Sequence, residues 1–341
     1  PTSGNNWNTA ANWLPTGVPV STDAVYFDPS YSTANCTINT NVSVKGISIN
    51  SGYTGTVTQG TGYTVTVGTS GYSQADGTFT GGDSEIQVAS FTLSGGTFTA
   101  TSGNTTVFVP TISDSTVFTY SGGTFNPGTG TLRFRNVAQY RNVASTYSIS
   151  LSSSLSVNNL QYEAGTTSVG FDKDRIWSLT GAAAKFIVLG NFTMQRATGF
   201  TLASNQTARP IANNGTIEVR GDLFIQTGAY AGSTLIKING TGTQSYTSNG
   251  GTAPPIEIDK SAGAISAATG TTDLETTSFT LTQGTFNAPS GNLTIFPLTV
   301  SNSTIFTYTG GTFNHSNGTL RFRALALYNA QASTTFTISL A

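Results

Sequence analysis

Apolar and polar residues alternate along this chain in short bursts. Thr105-Thr106-Val107-Phe108-Val109 and Thr131-Leu132-Arg133-Phe134-Arg135 place every second side chain on one face, the period of a half-buried strand. Between the bursts stand Gly, Asn and Ser, the residues of tight turns. Hardly any window carries the 3.6-residue period of an amphipathic helix. Gly181–Leu189 (GAAAKFIVL) comes nearest, and its IVL end reads equally as a strand. The pattern predicts a chain that is nearly all β.

Two periods organise the bursts. Phe91–Arg135 and Phe279–Arg323 align without a gap at an offset of 188 residues, and after one inserted residue the match resumes between Ser145–Leu151 and Ser333–Leu340. Inside this large unit the phrase Gly-Thr-Phe recurs. It stands at Gly77-Thr78-Phe79, Gly96-Thr97-Phe98 and Gly123-Thr124-Phe125, with spacings of 19 and 27, and the 27 returns between Gly284-Thr285-Phe286 and Gly311-Thr312-Phe313. Periods of about 20 to 50 residues mark solenoids and arrays. A coil of this size holds about three short strands and their turns, because a strand rises about 3.3 Å per residue. The expected fold is a parallel β-solenoid (β-helix), right-handed in preference to left-handed. Phe79, Phe98, Phe125, Phe286 and Phe313 would stack inside the tube, with the flanking Thr in outer ladders. The alternative is a tandem of antiparallel β-sandwich domains, whose turn signals recur at similar intervals.

The expected organisation is an N-terminal cap over residues 1–30, a first large unit over 31–218 and a second, incomplete one over 219–341. The match to the first unit stops at Ala341, where the first copy runs on into SSSLSVNNL, so the chain is expected to continue or to meet another chain there. The first thirty residues hold two of the three Trp. A solenoid leaves its first coil unpaired, and Trp7 and Trp13 are large enough to plug it. Exposed, the same rings would stack on sugars, which makes them candidate glycan contacts.

Charge narrows the functions. Only 9% of residues are Asp, Glu, Lys or Arg, and the net charge is -1. Without a basic excess, nucleic acid is excluded as a partner. No apolar stretch approaches 18 residues, so no membrane span is expected. With aromatics at 11% the chain is not disordered in the usual way. Cys36 and His315 are the sole Cys and His. They allow neither a disulfide framework nor a thiolate zinc site. Cys36 reads as a small apolar filler and His315 as a surface turn residue. No cofactor or metal is expected. About eleven N-x-S/T sequons, near what the composition gives by chance, are weak evidence of glycosylation.

The opening pattern Trp7, Asn12-Trp13, Pro19, Asp23, Val25, Phe27 resembles the start of many secreted bacterial surface proteins. The GGTF-N-x-G-x-GTL and NNGTIEVRGDLFI phrases resemble the body of autotransporter-passenger and adhesin-like β-solenoids. The resemblance covers most of the chain but is one of composition, turn phrases and opening motif. It implies a parallel β-helix, export to the cell surface, and a role in adhesion or extracellular structure. It carries no catalytic residues, and the C-terminal membrane barrel of such passengers does not occur here.

Candidate chemistry is sparse. Glycoside hydrolysis needs two carboxylates about 5–9.5 Å apart. The i, i+2 pairs Asp83/Glu85, Asp273/Glu275, Glu257/Asp259 and Asp172/Asp174 project from one strand face, and Asp172 with Asp174 forms the densest charge cluster. Arg133/Arg135 and Arg321/Arg323 recur at one repeat position, each pair on one strand face. They read either as a docking site for an acidic glycan or a neighbouring subunit, or as a charged outer strand. Thr64-Val65-Thr66, Thr78-Phe79-Thr80 and Thr97-Phe98-Thr99 locally resemble the Thr arrays of ice-binding faces. The expected function is a non-catalytic extracellular structural or adhesive protein of the cell surface, self-associating as a filament, sheath or layer, or contacting surface glycans. The alternatives are a polysaccharide-acting β-helix enzyme and a Thr-array glycan- or ice-binding module.

Overall fold

The computed structural model describes residues 6–110, 113–138, 144–166, 174–182, 184–197, 208–298, 301–324 and 334–340. Among the described residues Ala10–Asn12 makes one 3-10 turn, and the regular structure is otherwise strand. The ladders are parallel, and the chain passes through three faces in a fixed order. Ala24–Phe27 lies on face 1 and Cys36–Ile38 on face 2. Val42–Ile49 begins on face 3 and turns the corner onto face 1, where its second half pairs with Ala24–Phe27. Later coils repeat the circuit: Phe91–Leu93, Thr97–Thr99 and Asn104–Val109 take faces 1, 2 and 3. This is a parallel β-solenoid. Pairing continues through Val219, which meets Val188 on one side and Ile238 on the other, so one stack runs across the expected unit boundary.

The core explains the sequence pattern. On face 2, Cys36, Val57, Phe79, Phe98 and Phe125 form one column of direct partners. The rings of Phe79 and Phe98 stack with centroids 5.1 Å apart, those of Phe98 and Phe125 5.5 Å apart. On face 1, Tyr72, Phe91 and Phe118 stack at 5.3 and 5.0 Å. The two columns meet edge-on at Phe91–Phe98, 4.9 Å. Offset-stacked and edge-to-face pairs each add about 0.5–1.5 kcal/mol beyond the burial of the rings. Outside, Thr56, Thr78, Thr97 and Thr124 make one column, and Thr37, Thr58, Thr80, Thr99 and Asn126 another. Gly77, Gly96 and Gly123 turn the corner between faces 1 and 2 with φ of 62, 68 and 76°, a region that β-carbon sterics reserve for glycine.

Phase is the feature that the repeat did not reveal. From Phe91–Leu93 the rungs of face 1 are 118–120, 145–151, 175–180, 210–213, Tyr230, 252–253 and 274–276. The next strand, opening at Phe279, belongs to face 2, where it pairs with Ile256–Ile258 and with Phe306–Tyr308. The 188-residue offset therefore spans seven coils and one third. Equivalent residues of the two copies sit on successive faces.

Candidate functional site

Trp7 and Trp13 lie inside the cap. Their exposures are 1% and 7%. The rings meet edge-on at 4.8 Å, both contact Phe27, and Trp13 Nε1 donates to the Trp7 carbonyl at 2.7 Å. The Trp7 amide donates to Thr37 O, joining the cap to the first strand of face 2. The expectation that these rings contact glycans is corrected by their burial, which leaves neither a face to lie against a sugar.

The repeated Arg pairs do not form one surface. Arg133 and Arg135 are on face 3, whereas Arg321 and Arg323 are on face 1. Each copy also makes its own contacts. Arg133 Nη2 meets Glu85 at 2.6 Å and Nε donates to Thr106, which in turn donates to Glu85 at 2.7 Å. Arg135 pairs with the buried Glu163 at 3.5 Å. Arg323 meets Glu275 at 2.9 Å and lies over the Phe296 ring at 4.2 Å, while Arg321 is exposed beside Thr294. One third of a coil separates the two pairs in phase, so they look out from different faces.

The carboxylates are clamps between coils. Asp174 receives a bidentate contact from Arg209 at 2.7 and 2.9 Å, and Arg209 lies 3.4 Å over the Tyr230 ring. Asp172 lies outside the described residues. Lys237 bridges Asp259 at 2.5 Å and Glu257 at 3.5 Å. Asp83 accepts the Gly62 amide at 2.7 Å. Asp273 accepts the Thr272 hydroxyl and both the backbone and side-chain nitrogens of Asn292. Among the described residues no three His, Cys, Asp or Glu converge as metal ligands would.

These bonds set an acid limit. The Gly62 amide holds Asp83 below the usual carboxylate range, the Lys237 ammonium does the same for Asp259, and the Thr272 hydroxyl for Asp273. A carboxylate depressed in the folded state contributes stability above its unfolded pKa and loses it as pH falls through the folded value. The unfolded value is about 3.9. Thermal melting followed by circular dichroism should therefore give a midpoint that falls below about pH 4. That fall should be smaller for Asp273→Asn, measured against its own neutral-pH midpoint. An acid limb equally steep in the variant would contradict the assignment.

Polar residues at inward positions were missed. Gln74 donates to the carbonyls of Asp76, Gly77 and Thr97 and accepts from Tyr72. Lys260, buried, donates to Gly240 O, Gly242 O and Gln244 Oε1, and burial draws its ammonium down from the usual lysine value. Both bring side-chain donors to backbone carbonyls inside the tube, where an unpaired carbonyl would be costly. The signal was present as a polar residue on the apolar beat of an alternating strand.

Two grooves open on the surface. One, about 550 Å³, runs along the corner of faces 1 and 2 and includes Ile176, Ile211, Tyr230, Pro255 and Ile305. The other, about 760 Å³, lies beside the cap, between the turn around Leu14 and the strand Ala24–Phe27. That strand buries Val25 and Phe27 and turns Tyr26 outward. Tyr26 and Tyr31 in this groove are 61% and 70% exposed. Comparison of the chain with protein-family models, with curated proteins and with solved structures finds no match.

Proposed function

We propose that the chain is a non-catalytic extracellular rod, structural or adhesive, working on a cell surface as part of a longer or self-associating assembly. One observation carries this reading: among the described residues the ion pairs join one coil to another, and no groove gathers opposite charges. Arg133 reaches Glu85 and Arg323 reaches Glu275, each across 48 residues of sequence, while Lys237, Arg209 and Asp273 make the shorter steps. Such clamps reinforce a body already held by ladder hydrogen bonds and stacked rings. A rod of this kind keeps its faces at fixed spacing along the axis, which suits a spacer or a scaffold. Negative-stain electron microscopy of the concentrated protein tests the proposal. Filaments, sheaths or layers are expected. Isolated particles that release reducing ends from a polysaccharide panel would favour the enzyme alternative.

The Thr columns support a second reading, a contact face for a regular surface. Thr78 and Thr97 stand in one column, and Thr80 and Thr99 in the other. Thr64-Val65-Thr66 does not join them, because Val65 and Thr66 pair on face 3. Thermal hysteresis in a freezing-point assay would be the sign of ice binding, and its absence would remove that form of the reading.

A further inference from the structure

We propose that the groove beside the cap binds a neutral oligosaccharide, with Tyr26 and Tyr31 as ring platforms and Asp23 as a hydrogen-bond acceptor. The inference goes beyond the rod reading, because the groove belongs to one end and does not recur along the stack.

Exposure is the first observation. Among the described residues eleven large apolar side chains are exposed, and five of them, Leu14, Val18, Val20, Tyr26 and Tyr31, fall within a span of eighteen residues. Clustered exposed apolar side chains rimmed by polar ones mark interaction sites. Shape is the second. The groove is concave, and its volume of about 760 Å³ falls in the range of ligand sites, about 300–1,000 Å³.

Order is the third. Tyr26 is fixed by its strand. Tyr31 stands on a turn where its amide donates to Asp28 O at 3.1 Å, and Asp28 is itself held by the Ser30 amide and the Asn50 side chain at 2.8 and 2.9 Å. The two rings are thus presented on rigid backbone. Little ordering entropy remains to be lost on binding.

Chemistry selects the ligand class. A pyranose carries C–H groups on its flat faces and hydroxyls at its edge. Tyrosine offers a broad apolar ring with a polar tip, a match for both. Asp23 uses Oδ2 to accept the Val20 amide at 2.8 Å, and Oδ1 accepts nothing from the described residues. That oxygen is available to a sugar hydroxyl. The wall also carries Asp28 and contains no Lys or Arg. Uronate or sulfated glycans would meet repulsion there. A protein partner fits less well, because interface cores are depleted in charged residues and Asp23 and Asp28 both line this groove.

Isothermal titration of the chain with cellohexaose, xylohexaose, maltohexaose and chitohexaose, and with oligogalacturonate as the acidic probe, tests the site. At least one neutral hexaose is expected to bind and to change the emission of Trp13, which lines the groove. Tyr26→Ala and Tyr31→Ala should each weaken that binding about tenfold or more, equal to about 1.4 kcal/mol. Tyr→Phe at either position should retain most of it. Both rings are exposed, so melting temperature should be unchanged and serves as the folding control. The filaments or layers expected of the rod should persist in both alanine variants, which separates the two proposals. Four outcomes would overturn the site: no neutral hexaose binding, binding indifferent to both alanines, tighter binding of oligogalacturonate, or a dimer of the chain lost on Tyr26→Ala.

Discussion

Phe98→Ala lowers the stability of the first coils by about 3–5 kcal/mol, the range for removing a fully buried phenylalanine. Phe98 is 1% exposed and touches Phe79, Phe91, Phe125 and Tyr72, the last at 5.5 Å. The void would open where two ring columns meet, and stacked neighbours held by ladder bonds cannot collapse into it. Solenoid stability is a sum of coil and interface terms, so the loss should be local. Hydrogen exchange should rise in residues 71–126 and stay near its original level beyond residue 208. Chemical denaturation gives the magnitude. A loss under about 1 kcal/mol would mean that the ring is not a core element.

Gly96→Val is the second large effect, and it acts through the backbone. Gly96 has φ of 68°, and a β-carbon there would stand 2.4 Å from Gly77 O and 2.5 Å from the carbonyl carbon and oxygen of Asp76. The left-handed conformation costs a residue with a β-carbon about 1–2 kcal/mol. Displacing a rigid coil adds about 1–3 kcal/mol, for a total of about 2–5 kcal/mol. Gly62→Val is the informative control. Its φ of 81° carries the same conformational cost, but a β-carbon there meets nothing within 4 Å. Denaturant midpoints should fall further for Gly96→Val than for Gly62→Val. Equal losses would show that coil contact at Gly96 contributes nothing.

Much of the fold was legible because coil-to-coil stacking converts sequence phrases directly into columns. The Gly-Thr-Phe phrase fixes a corner, an outward hydroxyl and an inward ring, and its recurrence at spacings of 19 and 27 shows that the corners, not the loop lengths, stay constant. Unequal coils kept a sandwich alternative open, yet Phe79, Phe98 and Phe125 stack in register as direct partners. Phase was not legible. The offset of 188 counts residues, whereas the face is set by how many thirds of a coil they fill, and coil lengths vary. For that reason Arg133 and Arg321 match in sequence but look out from different faces.

The site was legible only by region. Large aromatic rings near the N-terminus pointed to the cap end, but size drew attention to Trp7 and Trp13, which the first coil needs as a plug. Tyr26 could have been found from the alternation of Asp23, Val25 and Phe27, which turns it outward. Tyr31 could not, because its position depends on the turn that Asp28 builds. Lys260 and Gln74 stand on the apolar beat of their strands, which marks them as unusual, but the carbonyls they reach on a neighbouring coil, Gly242 O and Thr97 O, are not encoded by side-chain patterns.

Disulfide trapping tests the stacked coil most directly. Thr97 and Thr124 are direct partners on adjacent rungs of face 2, about 4.8 Å apart as parallel strands are, which lies within the span of a disulfide, about 4.4–6.8 Å. Thr92 and Thr99 would be partners if the strands around Gly95-Gly96 formed an antiparallel hairpin, but here they occupy faces 1 and 2. The native Cys36 is buried and does not compete. Under mild oxidation of the folded protein, T97C/T124C should close its bond and T92C/T99C should remain reduced. The reverse pattern would contradict the solenoid and every placement that depends on it.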